Sequence, residues 1–247
     1  MGEVFCVLFA HRIFVPSPVG EGFLFLGEKM DNKTKRITLI GMLSAIAYIF
    51  TLIGHFVPIA FNDFLKYDPK DAIIVRAGLA LGPLASLIIS VVVALLELIT
   101  ISSTGIIGCI MNIISSVSYA CVASLIYKSF KSLKGAITGL TLSSMLTVAL
   151  MLLWNYLVTP AYMEVPREVV EAMLLPVFLP FNVIKCGLNT GLTLLIYKPC
   201  VKAMRQVGLL QSVKQENQEK SKKSIGIIVA SLALIATMVV LYILLDK

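Results

Sequence analysis

Residues 72–101 read AIIVRAGLALGPLASLIISVVVALLELITI, a 30-residue run whose interpretation decides the fold. As one helix it would be about 45 Å long, well beyond the roughly 30 Å of hydrocarbon that a span has to cross. Gly82-Pro83 interrupts it, and proline ends or kinks the helix that precedes it. The run is therefore one kinked helix or a hairpin. Charge separates the two, because Lys and Arg collect in short loops on the cytoplasmic side. With MDNKTKR (30–36) inside, ahead of a first span at 37–54, a hairpin at 82–83 keeps KSFKSLK (128–134) and the basic stretch 198–223 inside too. A kinked helix would put both outside. We expect the hairpin, with a short second helix at 72–82 and a third at 84–101.

Outward from this run, further spans are expected at 105–127, 135–158 and 177–198, with 159–173 (TPAYMEVPREVVEAM) outside and net acidic. Residues 225–245 form another 21-residue apolar run, uninterrupted by polar groups suited to function. The fold class is an all-α integral membrane protein: a six-helix bundle with a short second helix, plus an extra C-terminal transmembrane helix. The expected divisions are 1–36 (an N-terminal extension and basic cytoplasmic flank), 37–200 (the six-helix membrane domain), 201–224 (a charged cytoplasmic linker) and 225–247 (the added helix). In 1–29 the run VFCVLFA is too short to span, and the working protein is expected to begin near Met30. The chain is thus expected to be a multi-pass membrane protein with a cytoplasmic N-terminus.

Composition agrees. Of 247 residues, 58% are hydrophobic and 14% charged, against about a quarter charged in a soluble domain. The net charge of +7 lies mostly between apolar runs, which points to membrane topology and away from nucleic acid. Five dispersed cysteines without CxxC spacing imply no disulfide framework and no metal site. The chain carries no G-x-x-x-x-G-K-[ST] and hence no ATP-binding P-loop. His11 and His55 make no triad or metal set, and no two carboxylates share a span. Enzymatic chemistry has little to work with, so no catalytic residue and no cofactor are expected.

Ionisable or amide groups inside spans are costly and point to function. The candidates are Glu97, Asn112, Asn155, Asn182, Lys185 and Asn189. On a helix, 182, 185 and 189 share one face. Glu97, Asn112, Asn155, Asn182 and Lys185 all fall in the outer halves of their spans, which suggests an outward pocket roofed by the loop HFVPIAFNDFLKYDPKD (55–71). Structural glue is the alternative for each, since an ion pair or an amide also joins packed helices. Gly41 and Ala45 in the first span form a small-xxx-small pair that Ser44 and Ala47 widen, smooth enough for a partner helix or for packing inside the bundle.

Several motifs together resemble a known family, the substrate-binding (S) components of energy-coupling-factor (ECF) vitamin importers, and among them the riboflavin-specific members. They are FLKYDPKD (64–71), GLALGPLASL (78–87), TGIIGCIMN (104–112), LWNYLVTPAY (153–162) and LPFNVIKCGLNTGLTLLIYK (179–198). The likeness runs from about 37 to 200. It implies a six-helix S-component bundle that binds riboflavin as a transported ligand in an outward pocket closed by the loop after helix one. It also implies a bacterial cell membrane as the location, and a transmembrane coupling (T) subunit and two ABC ATPases as partners, which would account for the missing P-loop. By resemblance Asn155, Asn182 and Lys185 would hydrogen-bond the flavin ring. Glu97 would accept from ribityl hydroxyls or neutralise Lys185. Phe61, Phe64, Leu65, Tyr67 and Asp68 would close over the ligand. Gly41, Ala45 and Ser44 would meet the coupling subunit, although alanine is the more usual first residue of that motif. An S component for another small vitamin or precursor, a stand-alone secondary transporter, and a membrane enzyme or scaffold are the competing readings.

Overall fold

The computed structural model of the protein describes residues 32–56, 60–62, 65–130, 133–196 and 219–245. The expected N-terminal extension, Phe64 and most of the charged linker lie outside these residues. The described elements are α1 (Asn32–Phe56), a two-stranded antiparallel β-hairpin, α2 (Lys70–Leu81), α3 (Pro83–Thr100), α4 (Gly105–Phe130) and α5 (Leu133–Met163). Then come α6 (Arg167–Met173), one π-helical turn (Leu174–Phe178), α7 (Leu179–Leu195) and α8 (Glu219–Leu245). The hairpin pairs β1 (Ala60–Asn62) with β2 (Leu65–Lys66) inside the loop after α1. Among the described residues six helical segments are long and apolar enough to cross a membrane, with α6, the π turn and α7 counting together as Arg167–Leu195.

The run at 72–101 is a hairpin. Gly82 sits between α2 and α3 at φ 97°, a left-handed region that other residues rarely adopt. Pro83 opens α3 at a position where its missing N–H costs nothing. The guanidinium of Arg36 caps the end of α2 by donating from Nη2 to the Leu81 carbonyl, 2.9 Å. At the far end, the ammonium of Lys70 meets the carboxylate of Glu97. In one continuous helix those residues would stand about 40 Å apart at 1.5 Å per residue, so their contact requires the reversal.

At 12 residues α2 is about 18 Å long and does not cross the bilayer. It is buried instead: every residue from Lys70 to Gly78 is covered by α1, α3, α4 and α7. Ile73, Ile74, Val75 and Ala77 form the centre of the core with Ala47 of α1, Ile89 and Val93 of α3, and Tyr119, Ala120 and Ala123 of α4. Several hydroxyls within the bundle are satisfied by their own helices, as at Ser90, Ser124, Thr147 and Thr193, each donating to the carbonyl four residues back.

The outer connection differs from the expected loop at 159–173. Helix α5 continues through Pro160 to Met163, and Glu164 turns the chain at φ 53° into α6. Pro176 and Pro180 lack the N–H that an unbroken α-helix would use there, and the chain passes through a π turn into α7. Val170, Phe178 and Phe181 fold this connection back as a small apolar cluster.

Helix α8 lies along α7. A Cβ added at Gly187 would fall 2.6 Å from Met238 Cε, and one at Gly191 would fall 2.6 Å from Ile235 Cγ1. Glycines at i and i+4 thus admit the other helix at close range. The Gly41 and Ala45 positions of α1 are instead exposed, in line with Ile37, Ile49 and Ile53. Ser44 and Ala47 do not widen that stripe: both turn inward, and Ser44 donates to the Ile40 carbonyl, 2.8 Å.

Candidate ligand-binding site

The end of the bundle opposite Gly82 gathers a connected set of charged, amide and hydroxyl residues. Helix α2 brings Lys70 and Asp71, α3 brings Glu97, α4 brings Asn112, Ser115 and Ser116, and α7 brings Lys185 and Asn189. The chain entering α2 adds Tyr67 and Asp68.

The charges pair differently from the sequence expectation. Glu97 does not neutralise Lys185. One Glu97 oxygen meets the Lys70 ammonium and the other accepts from Asn112 Nδ2 at 2.9 Å. Both oxygens being engaged, Glu97 stands as a support more than as a free acceptor. Lys185 faces Asp71, Nζ to Oδ2 3.7 Å, and donates to Ser115 Oγ at 3.4 Å. Asp71 also accepts from Ser116 Oγ at 2.5 Å and from Asn189 Nδ2 at 3.5 Å. Asn189 uses its other atom as well, accepting from the Tyr67 hydroxyl at 2.9 Å.

The end of the loop after α1 is pinned at three points. Tyr67 reaches α7 through Asn189. Asp68 meets the Lys70 ammonium with one oxygen and accepts the Lys70 backbone N–H with the other, 3.0 Å. Pro69 and the Tyr67 carbonyl press on Gly54 of α1, where a Cβ would lie 2.8 Å from Pro69 Cδ. Burial pushes the Tyr67 phenol well above its ordinary pKa, and Asp71 and Asp68 push the same way. Burial alone would raise the Asp68 carboxyl, but Lys70, with Lys185 further off, holds it below the usual value.

Asn155 and Asn182 are buried, yet each Nδ2 donates to the backbone four residues back: Asn155 to the Met151 carbonyl and Asn182 to the Phe178 carbonyl, both 2.7 Å. Asn155 Oδ1 also accepts from Thr159 at 2.9 Å. These amides are parked along the backbone and do not join the Lys185 network. Phe61 and Leu65 lie on the two strands of the β-hairpin.

Sequence reasoning missed Lys70 and Asp71 because it placed them in a loop, and it passed over buried Arg76 inside the run at 72–101. The available signal was the alternation of charges in KYDPKD, set directly against an apolar run. Three carboxylates (Asp68, Asp71 and Glu97) do converge here although no span holds two, but ammonium, amide or hydroxyl partners engage each of them. Among the described residues no cluster of His, Cys, Asp or Glu could hold a metal ion. A cavity of about 510 Å³ lies elsewhere, between α5, α7 and α8, lined mainly by apolar residues such as Met145, Leu152, Val183 and Leu234. It lacks the charged groups of the network, so the network carries the chemistry.

A profile of the ECF transporter substrate-specific component matches residues 35–197, most of the chain. The chain belongs to the substrate-specific components of ECF transporters. Riboflavin transporter RibU of Staphylococcus aureus (strain TCH60) is 27% identical over 183 residues, covering 71% of this chain and 95% of that protein. Riboflavin transporter FmnP of Bacillus subtilis (strain 168) is 29% identical over 185 residues, covering 70% and 97%. A solved S component of a bacterial ECF transporter is 28% identical with a TM-score of 0.59, covering 73% of this chain and all of that one. As an S component the protein is a multi-pass membrane protein of a transport system. Helix α8 lies beyond the family match.

Proposed function

We propose that the protein binds riboflavin from outside the cell and delivers it for import, with a transmembrane coupling subunit and two ABC ATPases supplying the energy. The observation that carries this reading is Lys185, set on α7 beside Asp71 and Ser115 and beneath a loop pinned by Tyr67 and Asp68, in a chain whose relatives are named riboflavin transporters. Lys185 would donate to the carbonyl edge of the flavin ring. Asn155 and Asn182 would turn a donor and an acceptor toward that edge, as amides can. Phe61, Phe64, Leu65 and Tyr67 would cover the ring, giving the mix of apolar walls and few polar groups usual in ligand sites. Asp71 keeps Lys185 in place, and Glu97 acts through Lys70 and Asn112. The exposed stripe with Gly41 and Ala45 would meet the coupling subunit, and the basic flanks would set the N-terminus in the cytoplasm.

Titration of the detergent-purified protein with riboflavin tests this reading. Flavin fluorescence should be quenched, and Lys185→Ala should weaken binding by about 1–3 kcal/mol, the cost of losing a buried hydrogen bond. A protein that quenches no flavin and carries none through purification, by mass spectrometry of its extract, would overturn it.

A further inference from the structure

We propose that Lys70 is a positioning residue: its buried ammonium fastens the loop after α1 onto α3, so the loop's hold on a ligand depends on a group that never touches the ligand. The proposal takes the covering role of the loop from the riboflavin reading above. The fastening itself stands on geometry.

Lys70 is 1% exposed and fully enclosed at the start of α2. Its ammonium lies between two carboxylates of different origin, Asp68 two residues before it and Glu97 on α3. Glu97 is fixed from the other side by Asn112 of α4. One cation thus closes a chain from the loop through α2 and α3 to α4. Buried charges are tolerated only when paired, and removing one partner leaves the others uncompensated. Without the ammonium, Asp68 and Glu97 would be like charges turned toward one space. The other charged groups facing this space are Asp71, which follows Lys70 in the chain, and Lys185 of α7, which Asp71 already engages.

Of the two elements the loop is the one that can move away, because Glu97 sits within a packed helix while Asp68 lies on a connection. Loss of Lys70 should therefore lift the loop and leave the helices in place. A ligand beneath the loop would leave faster, with its own contacts to Lys185 and the amides unchanged.

Hydrogen–deuterium exchange on the full chain in detergent, without flavin, tests the fastening separately from ligand identity. In Lys70→Met, peptides covering 60–69 should exchange roughly tenfold faster while α3, α4 and α5 are unchanged, a local opening of the kind exchange resolves. Lys70→Met/Glu97→Gln removes the repulsion without restoring the bridge and should recover only part of the protection. Should Lys70→Met not yield folded protein, Asp68→Asn, which keeps the side-chain shape and removes the charge at the loop end alone, should still speed loop exchange. An unchanged loop in the single variants, a rise spread evenly over the helices, or full wild-type protection in the double variant would each overturn the proposal. Stopped-flow quenching on the same proteins should show faster riboflavin release with an unaltered association rate; unchanged release would refute the control of ligand residence. Loop opening in the variants without any flavin quenching, wild type included, would support the fastening and overturn the riboflavin reading.

Discussion

Two junctions in this bundle join helices by opposite means. Where α2, α3, α4 and α7 meet at the end far from Gly82, the contacts are charges and amides, each with a specific partner. Along α7 and α8 the contact is made by what is missing: Gly187 and Gly191 carry no side chain, and Met238 and Ile235 occupy the space. The first junction is selective and brittle, because a buried charge without its counterpart is far less stable than either a complete pair or none. The second depends on close approach alone, and only added volume disturbs it.

The sharpest way to break this contrast is Asp71→Ala. The substitution leaves Lys185 without its counter-charge and Ser116 and Asn189 without their acceptor. A loss of about 3 kcal/mol in unfolding free energy in detergent is expected, the low end for a broken buried pair because Lys185 keeps a little solvent access. A variant as stable as the wild type would show that charges do not hold this junction.

A smaller and more local effect is expected at the glycine seam. Gly191→Leu drives a side chain into Ile235 and toward the Ser231 carbonyl, 3.4 Å from the position of a new Cβ. It should cost about 1–3 kcal/mol, as overpacking does, and expose α8 to amide exchange while flavin binding by the rest of the chain persists. Equal protection of α8 in variant and wild type would mean that the seam tolerates volume and that the contrast fails.

The smallest change in stability belongs to Gly41→Leu. Its pattern resembles that at 187 and 191, but nothing lies within 4 Å of a Cβ added at Gly41. Unfolding should shift by less than about 0.5 kcal/mol, as for an open surface site, and flavin binding should be intact. Recovery of the coupling subunit with the protein should nevertheless fall. Full recovery would remove the exposed stripe from the proposed partner surface.

These junctions were unequally legible. The hairpin followed from a length, a Gly-Pro pair and the sides on which basic segments along the chain fall, all readable without any tertiary contact. Glu97 and Lys185 were recognisable because a charge inside an apolar run is costly wherever it ends up. Their pairing was not recognisable, since nothing local to residue 97 favours Lys185 over Lys70. Lys70 and Asp71 lay just before the assumed helix start at 72, and their burial comes from the helices packed around α2. The small residues at 41 and 45 and those at 187 and 191 have the same spacing, yet one pair is covered by a helix of this chain and the other is bare.

By itself the sequence determined that this is a helical membrane protein, where the chain reverses, and which rare polar residues must be explained, because the cost of taking a group out of water depends on the group and its segment. Only the tertiary structure decided which cation serves which carboxylate, that Lys70 meets both Asp68 and Glu97, and that α8 rests on α7. Those choices depend on distances between residues far apart in the chain, and such distances exist only once the helices have packed.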